Sequence, residues 1–146
     1  MISHIALASL VASAAISVAA QSVLTSRLDD PRAVYLTAQE FGAHADGVAD
    51  DSAAIQAAID HSQDSARAAG NPREGIVFIP SGRYRIARTI FVWPGIRVFG
   101  YGPTRPVLVL APNTPGFQTG IGDMVIFTGA RSSDGSPYSS HAWWRR

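Results

Sequence analysis

The chain has 146 residues, of which 47% are hydrophobic and 16% are charged, which allows one globular domain and excludes a disordered chain. Its formal net charge of only +1 does not provide the concentrated basic face that binds nucleic acid. It contains no cysteine, which excludes disulfides and metal sites built on thiolates.

The N-terminal stretch has the pattern of a secretory signal. Residues 2–20 carry no formal charge and end in Val18-Ala19-Ala20, which suits cleavage before Gln21. We therefore predict a signal peptide over residues 1–20 and a secreted or periplasmic protein with no stable membrane association after cleavage. A membrane anchor is the competing interpretation, but the run is only weakly apolar and is near the minimum length for a span.

A polar segment and a turn precede the first long regular element. Residues 21–34 are predicted to be a lead-in segment with little structure of its own, and residues 34–36 are a candidate strand. Asp46-Gly47 predicts a turn, because Asp tolerates and Gly favours the positive φ that a chain reversal requires.

Residues 51–69 have the pattern of one short helix. Either Asp50 or Asp51 is placed to cap it, since a carboxylate accepts hydrogen bonds from the first turn. Small and apolar residues then recur at three- and four-residue spacing, which predicts a narrow stripe that docks against a flat surface. The stripe comprises Ile55, Ala58, Ile59, Ser62 and Ala66. Gly70 with Asn71-Pro72 ends the helix.

From residue 76 onward the pattern changes to short apolar runs separated by Gly and Pro, which is typical of strands and turns. The candidate strands are residues 76–79, 83–86, 89–92, 96–99, 107–110 and 124–127. No helical pattern lies between them, which argues against a fold of alternating strands and helices. Composition alone leaves a sandwich, a barrel and a parallel β-helix open.

Two motifs carry a resemblance to a known family. The first comprises Phe41-Gly42-Ala43, Asp46-Gly47, Asp50-Asp51 and Ala53-Ala54-Ile55-Gln56-Ala57-Ala58-Ile59-Asp60. The second comprises Val77-Phe78-Ile79-Pro80-Ser81-Gly82-Arg83-Tyr84-Arg85-Ile86, Thr89-Ile90, Pro94-Gly95 and Gly100-Tyr101-Gly102. Over residues 35–112 they resemble the N-terminal module of the pectate-lyase-like superfamily, of the rhamnogalacturonase and epimerase type.

The resemblance implies an all-β fold, namely the first coils of a right-handed parallel β-helix, with one N-terminal α-helix that caps its open end. Residues 35–130 would form the N-terminal part of this domain, and residues 131–146 a polar loop and an atypical tail. Stacked repeats need about three coils and a cap at each end. Because the tail does not have the pattern of a cap, we expect the chain to be an N-terminal fragment of a longer protein.

The resemblance also implies a function. It favours a secreted carbohydrate-active protein whose partner is a polysaccharide substrate, as a glycoside hydrolase or a polysaccharide lyase, with the catalytic coils beyond this chain. This chain alone would then be inactive. The alternative is a non-catalytic glycan-binding or tailspike-like surface protein, because such proteins share the module. A third interpretation is a pseudogene product without function. No cofactor is expected, with a divalent cation such as calcium relevant only to a lyase.

The densest polar cluster comprises His44, Asp46, Asp50 and Asp51. Four potential ligands so close together raise the question of a cation site. The spacing does not match a calcium-binding helix–loop–helix, and each aspartate has a local duty in a turn or a cap. We therefore expect a structural cluster and no metal site.

Catalytic and substrate-binding residues cannot be named from the sequence. Glycosidase chemistry needs two facing carboxylates, but Asp123 and Asp134 need not share a face, and Asp123 is better explained as a turn residue. A lyase needs a base and a cation near the substrate carboxylate. Arg83, Arg85, Arg88 and Arg97 lie on the strand-rich stretch, where an ordinary solvated strand face is the simpler interpretation.

Two remaining motifs are explained without chemistry. Gly100-Tyr101-Gly102 is followed by Arg105 in place of a third glycine, so it predicts a turn and no dinucleotide site. Trp143-Trp144 beside two arginines would suit sugar stacking, but an unpaired tail is the simpler interpretation. A further copy of the chain could cover an exposed coil end, which leaves an oligomer open.

Overall fold

The computed structural model describes residues 20–71, 74–131 and 137–138. Residues 1–19 of the predicted signal peptide, as well as Asp134 and Trp143-Trp144, lie outside the described residues. No helix among the described residues is long and apolar enough to cross a membrane.

Strands predominate among the described elements. The two helices there are α1 (Ala38–Phe41) and α2 (Ser52–Ala68). The strands are β1 (Val34–Tyr35), β2 (Asp46–Asp50), β3 (Ile76–Pro80), β4 (Arg83–Ile86), β5 (Ile90–Val92), β6 (Arg97–Tyr101), β7 (Val107–Leu110), β8 (Val125–Phe127), β9 (Ala130–Arg131) and β10 (Pro137–Tyr138).

Three parallel sheets organise the described strands. The first sheet has the order β1-β3-β6, the second β2-β4-β7 and the third β5-β8. The chain thus makes three successive passes, which are β1-β2-α2, β3-β4-β5 and β6-β7-β8. The second and third passes each add one strand to each sheet, while α2 of the first pass packs beside β5. The parallel pairing confirms the predicted all-β class, while the right-handed β-helix itself stays a prediction.

The core lies between the sheets. In β4 and β5 buried side chains alternate with more exposed ones, as expected of strands with one face on a core. In β4, Tyr84 and Ile86 are fully buried while Arg83 is exposed, as the sequence pattern predicted. The hydroxyl of Tyr84 donates to the Pro80 carbonyl oxygen at 2.9 Å. Burial, and to a smaller extent the charge of Asp51, raise the pKa of Tyr84 to about 12. The phenol is therefore neutral in the folded protein.

Helix α2 packs one face on this core. Ile55, Ala58, Ile59 and Ser62 of the predicted stripe are buried, and Ala66 is half-buried. Gly70 follows the helix with φ +81°, a conformation that favours glycine. The helix prediction is confirmed with each end displaced by one residue.

Two turn predictions need correction. Asp46 and Gly47 belong to β2, where the pairing with β4 shifts register between Asp46 and Asp50. The positive φ of Gly47, +77°, therefore forms an irregularity inside a strand. Gly100 and Tyr101 likewise end β6, so that the turn begins at Gly102, where φ is +109° and a Cβ would collide with Ser81.

Candidate functional site

The outer face of the second sheet carries alternating charges. Asp46 pairs with Arg83, and Asp50 pairs with Arg85, across β2 and β4. The Nη1 of Arg85 donates to the Val48 carbonyl oxygen at 3.1 Å. Because side chains two residues apart on a strand share a face, the two guanidinium groups form a short row on a rigid sheet.

Both aspartates beside this row are ionised and have local hydrogen bonds. The Oδ1 of Asp46 accepts from the N–H groups of Val48 at 2.7 Å and Ala49 at 2.9 Å, and these bonds lower its pKa. The hydroxyl of Ser52 donates to Asp50 at 2.5 Å and is the largest cause of the lowered pKa of Asp50. A carboxylate with a lowered pKa is a weak base, so neither aspartate is suited to proton abstraction.

Asp51 is fully buried and fixes the preceding loop. Its carboxylate accepts from the N–H groups of His44 at 2.7 Å and Ala45 at 3.0 Å, and the Nδ1 of His44 lies 3.3 Å away. Ala45 adopts a positive φ of 57°, which this pair of bonds helps to hold. The carboxylate of Asp51 is thus engaged by the loop that precedes it, and the described residues contain no group of three or more acidic and histidine side chains that could hold a metal ion.

The two predicted aspartates share the capping of α2. Asp51 occupies the cap position of α2, but its side chain makes no bond to the first turn. Asp50 instead accepts from the Ser52 N–H at 3.0 Å. The sequence left Asp50 and Asp51 as alternatives. Asp50 takes the local bond to Ser52, because the carboxylate of Asp51 is occupied by the N–H groups of His44 and Ala45.

The four arginines of the strand-rich stretch do not form one surface. Arg83 and Arg85 lie on the outer face of β4, Arg88 is exposed in the turn before β5, and Arg97 begins β6 in the first sheet. The carbonyl oxygen of Asp123 accepts from the Thr89 hydroxyl at 2.8 Å, and Asp123 lies outside regular structure, two residues before β8. The described residues thus bring no pair of facing carboxylates together at this sheet.

Sequence reasoning missed the polar row on α2. The side-chain amide of Gln56 accepts from the Phe91 N–H at 2.9 Å and donates to the Phe91 carbonyl oxygen at 3.1 Å. Ser52 accepts from the Ala87 N–H at 2.8 Å, and Asp60 accepts from the indole N–H of Trp93 at 2.5 Å. The four-residue spacing of Ser52, Gln56 and Asp60 places them on one side of the helix and was the available signal.

A pocket of about 300 Å³ lies beside the C-terminal half of α2. Its lining includes Arg32, Glu40, His61 and Glu74. Arg32 and Glu74 form an exposed ion pair at 3.5 Å. The pocket is at the lower end of the size range of small-molecule sites, ~300–1,000 Å³, and it is separate from the charged outer face.

The comparisons with known proteins agree on one family. The sequence profile described as rhamnogalacturonase A/epimerase, pectate lyase-like, matches residues 35–145. The chain is 39% identical over 88 residues, 60% of its length, to the mannuronan C5-epimerases AlgE1 and AlgE2 of Azotobacter vinelandii. It spans only 5% and 7% of the lengths of these two relatives. No solved structure matches the chain.

Proposed function

Since the chain belongs to the rhamnogalacturonase A/epimerase, pectate lyase-like family, we propose that it is the N-terminal module of a secreted β-helix protein that acts on polysaccharide. In this proposal residues 1–20 are the signal peptide, α2 covers the first coil, and the reacting groups lie in later coils. The small share of the relatives that the chain spans, 5–7%, supports a longer whole protein.

The substrate class is inferred from the charged outer face of the second sheet. Arg83 and Arg85 stand two residues apart, and guanidinium groups bind carboxylates in planar, two-point contacts. The repeat of a strand, about 6.6 Å for two residues, sets the spacing of these contacts. We propose that this face contacts an acidic polysaccharide, which agrees with the mannuronan named for the relatives.

The reaction class is inferred from the steps that distinguish epimerases, lyases and hydrolases. A C5-epimerase removes the C5 proton of a uronate and returns a proton to the opposite face, while a lyase removes that proton and expels the substituent at C4. Both need a base and a cation that neutralises the substrate carboxylate, whereas a hydrolase needs two facing carboxyl groups. The relatives' C5 chemistry therefore favours proton abstraction over hydrolysis for the whole protein.

Assays of the complete gene product on mannuronan, pectic and neutral glycans test this proposal. Deuterium uptake from D₂O at C5 without chain cleavage indicates an epimerase, unsaturated products indicate a lyase, and new saturated reducing ends indicate a hydrolase. Substitution of Arg83 and Arg85 by Ala should weaken binding of acidic glycans and leave binding of neutral glycans unchanged. Absence of any product on every glycan would contradict an enzymatic role.

A non-catalytic glycan-binding protein is the second candidate. It is favoured by one observation, namely that Arg83 and Arg85 lie two residues apart on the outer face of β4, where they could hold an acidic glycan without any chemistry. Binding of acidic glycan by the complete product, without release or conversion of the sugar, would establish this candidate in place of the enzyme.

A further inference from the structure

The residue predicted to begin the mature chain, Gln21, lies against the turn that follows β6. Gln21 pairs with Thr104 through an isolated antiparallel bridge. Three residues further on, the Leu24 carbonyl oxygen accepts from the Gly102 N–H at 2.8 Å. The lead-in segment is therefore held at a defined place on the fold.

Arg105 makes contact on both sides of the predicted cleavage point. Its Nε donates to the Gln21 carbonyl oxygen at 3.1 Å, and its backbone N–H donates to the Ala20 carbonyl oxygen at 3.1 Å. Cleavage after Ala20 removes the second acceptor and leaves a new α-amine on the residue that the guanidinium group contacts. A like charge nearby favours the neutral form of an amine, which is the nucleophilic form.

The side chain of Gln21 is free to react. Gln21 is exposed, and its side-chain amide forms no hydrogen bond with the described residues. In an N-terminal glutamine, the α-amine nitrogen and the amide carbon Cδ are separated by three carbon atoms. A bond between them closes a five-membered ring.

We propose that Gln21 is a modification site, where the mature chain carries pyroglutamate. The α-amine nitrogen attacks Cδ of the side-chain amide, the new C–N bond closes the lactam, and the side-chain nitrogen leaves as ammonia. The reaction needs no oxidant, reductant or metal. It removes a positive charge beside Arg105, keeps the Gln21 main-chain carbonyl as an acceptor, and blocks the terminus to aminopeptidases. The proposal rests on the proposed function through cleavage before Gln21.

Mass spectrometry of the exported protein tests the proposal. The full chain, with its own leader, is produced in an exporting bacterial host and recovered from the periplasm or medium, and trypsin then releases residues 21–27. The expected peptide is lighter by one ammonia than unmodified Gln-Ser-Val-Leu-Thr-Ser-Arg. It resists aminopeptidases that require a free α-amine. If the peptide still has a free amine after prolonged incubation at neutral pH, the proposed modification is wrong. The predicted cleavage before Gln21 would still hold.

Two variants complete the test. Gln21→Ala removes the side-chain amide and places a small residue after the cleavage point, so it should yield a chain that begins at the same position with a free amine and no loss of ammonia. Arg105→Ala should form the lactam more slowly than the unaltered chain, and an equal rate would contradict the part assigned to Arg105. A mature chain that begins at any other residue overturns both this modification and the predicted signal cleavage.

Discussion

The two ends of the stacked sheets differ, because a helix covers part of one end and no described element covers the other. At the first pass, α2 takes the place of a third strand, and Gln56 offers Phe91 the acceptor and the donor that a neighbouring strand would offer. At the third pass, β6, β7 and β8 are the last strands of their sheets among the described residues, and Val98, Phe99, Val107 and Phe127 are exposed there. A strand edge can thus be covered by helical side chains, and an uncovered edge is a site for association.

The largest expected effect comes from apolar contacts at the covered end. Ile59→Ala should lower the free energy of unfolding by ~2–5 kcal/mol, because it leaves a cavity under α2. Ile59 is 1% exposed. Denaturant titration of the full chain measures the loss.

The matched control lies at the other end. Phe127 is 73% exposed, so Phe127→Ala should change the free energy of unfolding by less than ~0.5 kcal/mol. Equal losses for the two variants would contradict the difference between the ends.

Removal of the strand-like hydrogen bonds is the next effect in size. Gln56→Met keeps the length of the side chain but leaves the N–H and carbonyl of Phe91 without their partner, and should cost about 1–3 kcal/mol. Ser65→Ala, at an exposed position of the same helix, should be near neutral. A neutral Gln56→Met would indicate that water replaces the amide without cost.

Acid should weaken the covered end through Asp50. The pKa of Asp50 lies below its ordinary value of 3.8 in the folded state, so its stabilisation is present above 3.8 and is lost as the pH falls through the lowered value. The difference in stability between the unaltered chain and Asp50→Asn should therefore shrink as the pH falls below about 4. A difference that stays constant down to the lowest pH at which the chain folds would exclude this linkage.

Changes at the exposed end should have the smallest effect on stability. They should nevertheless alter self-association measurably. Phe127→Ser should reduce self-association measured by sedimentation velocity, because it removes exposed apolar surface beside an unpaired edge. Arg67→Ser, an exposed change on α2, should leave association unaltered. A larger drop for Arg67→Ser would place the association at the covered end instead.

The sequence predicted elements better than it predicted their partners. The helix and the strands β3 to β8 follow from local periodicity. The bounds of β4 and β7 are those predicted, and the other bounds differ from the prediction by at most two residues. β2 was read as a turn because Asp46-Gly47 has turn chemistry, yet pairing with β4 draws it into a sheet. The roles of Asp51 and Gln56 depend on contacts 7 and 35 residues away in sequence, which no local pattern contains.

Amide hydrogen exchange at Phe91 tests most directly whether α2 acts as the missing strand. Along a parallel strand the backbone groups of successive residues face opposite sides, so the Phe91 N–H faces Gln56, while the Phe127 N–H faces the uncovered side of β8. The Phe91 amide should exchange far more slowly than the Phe127 amide, and Gln56→Met should remove most of that protection. Equal exchange at Phe91 and Phe127 in the unaltered chain would contradict the account.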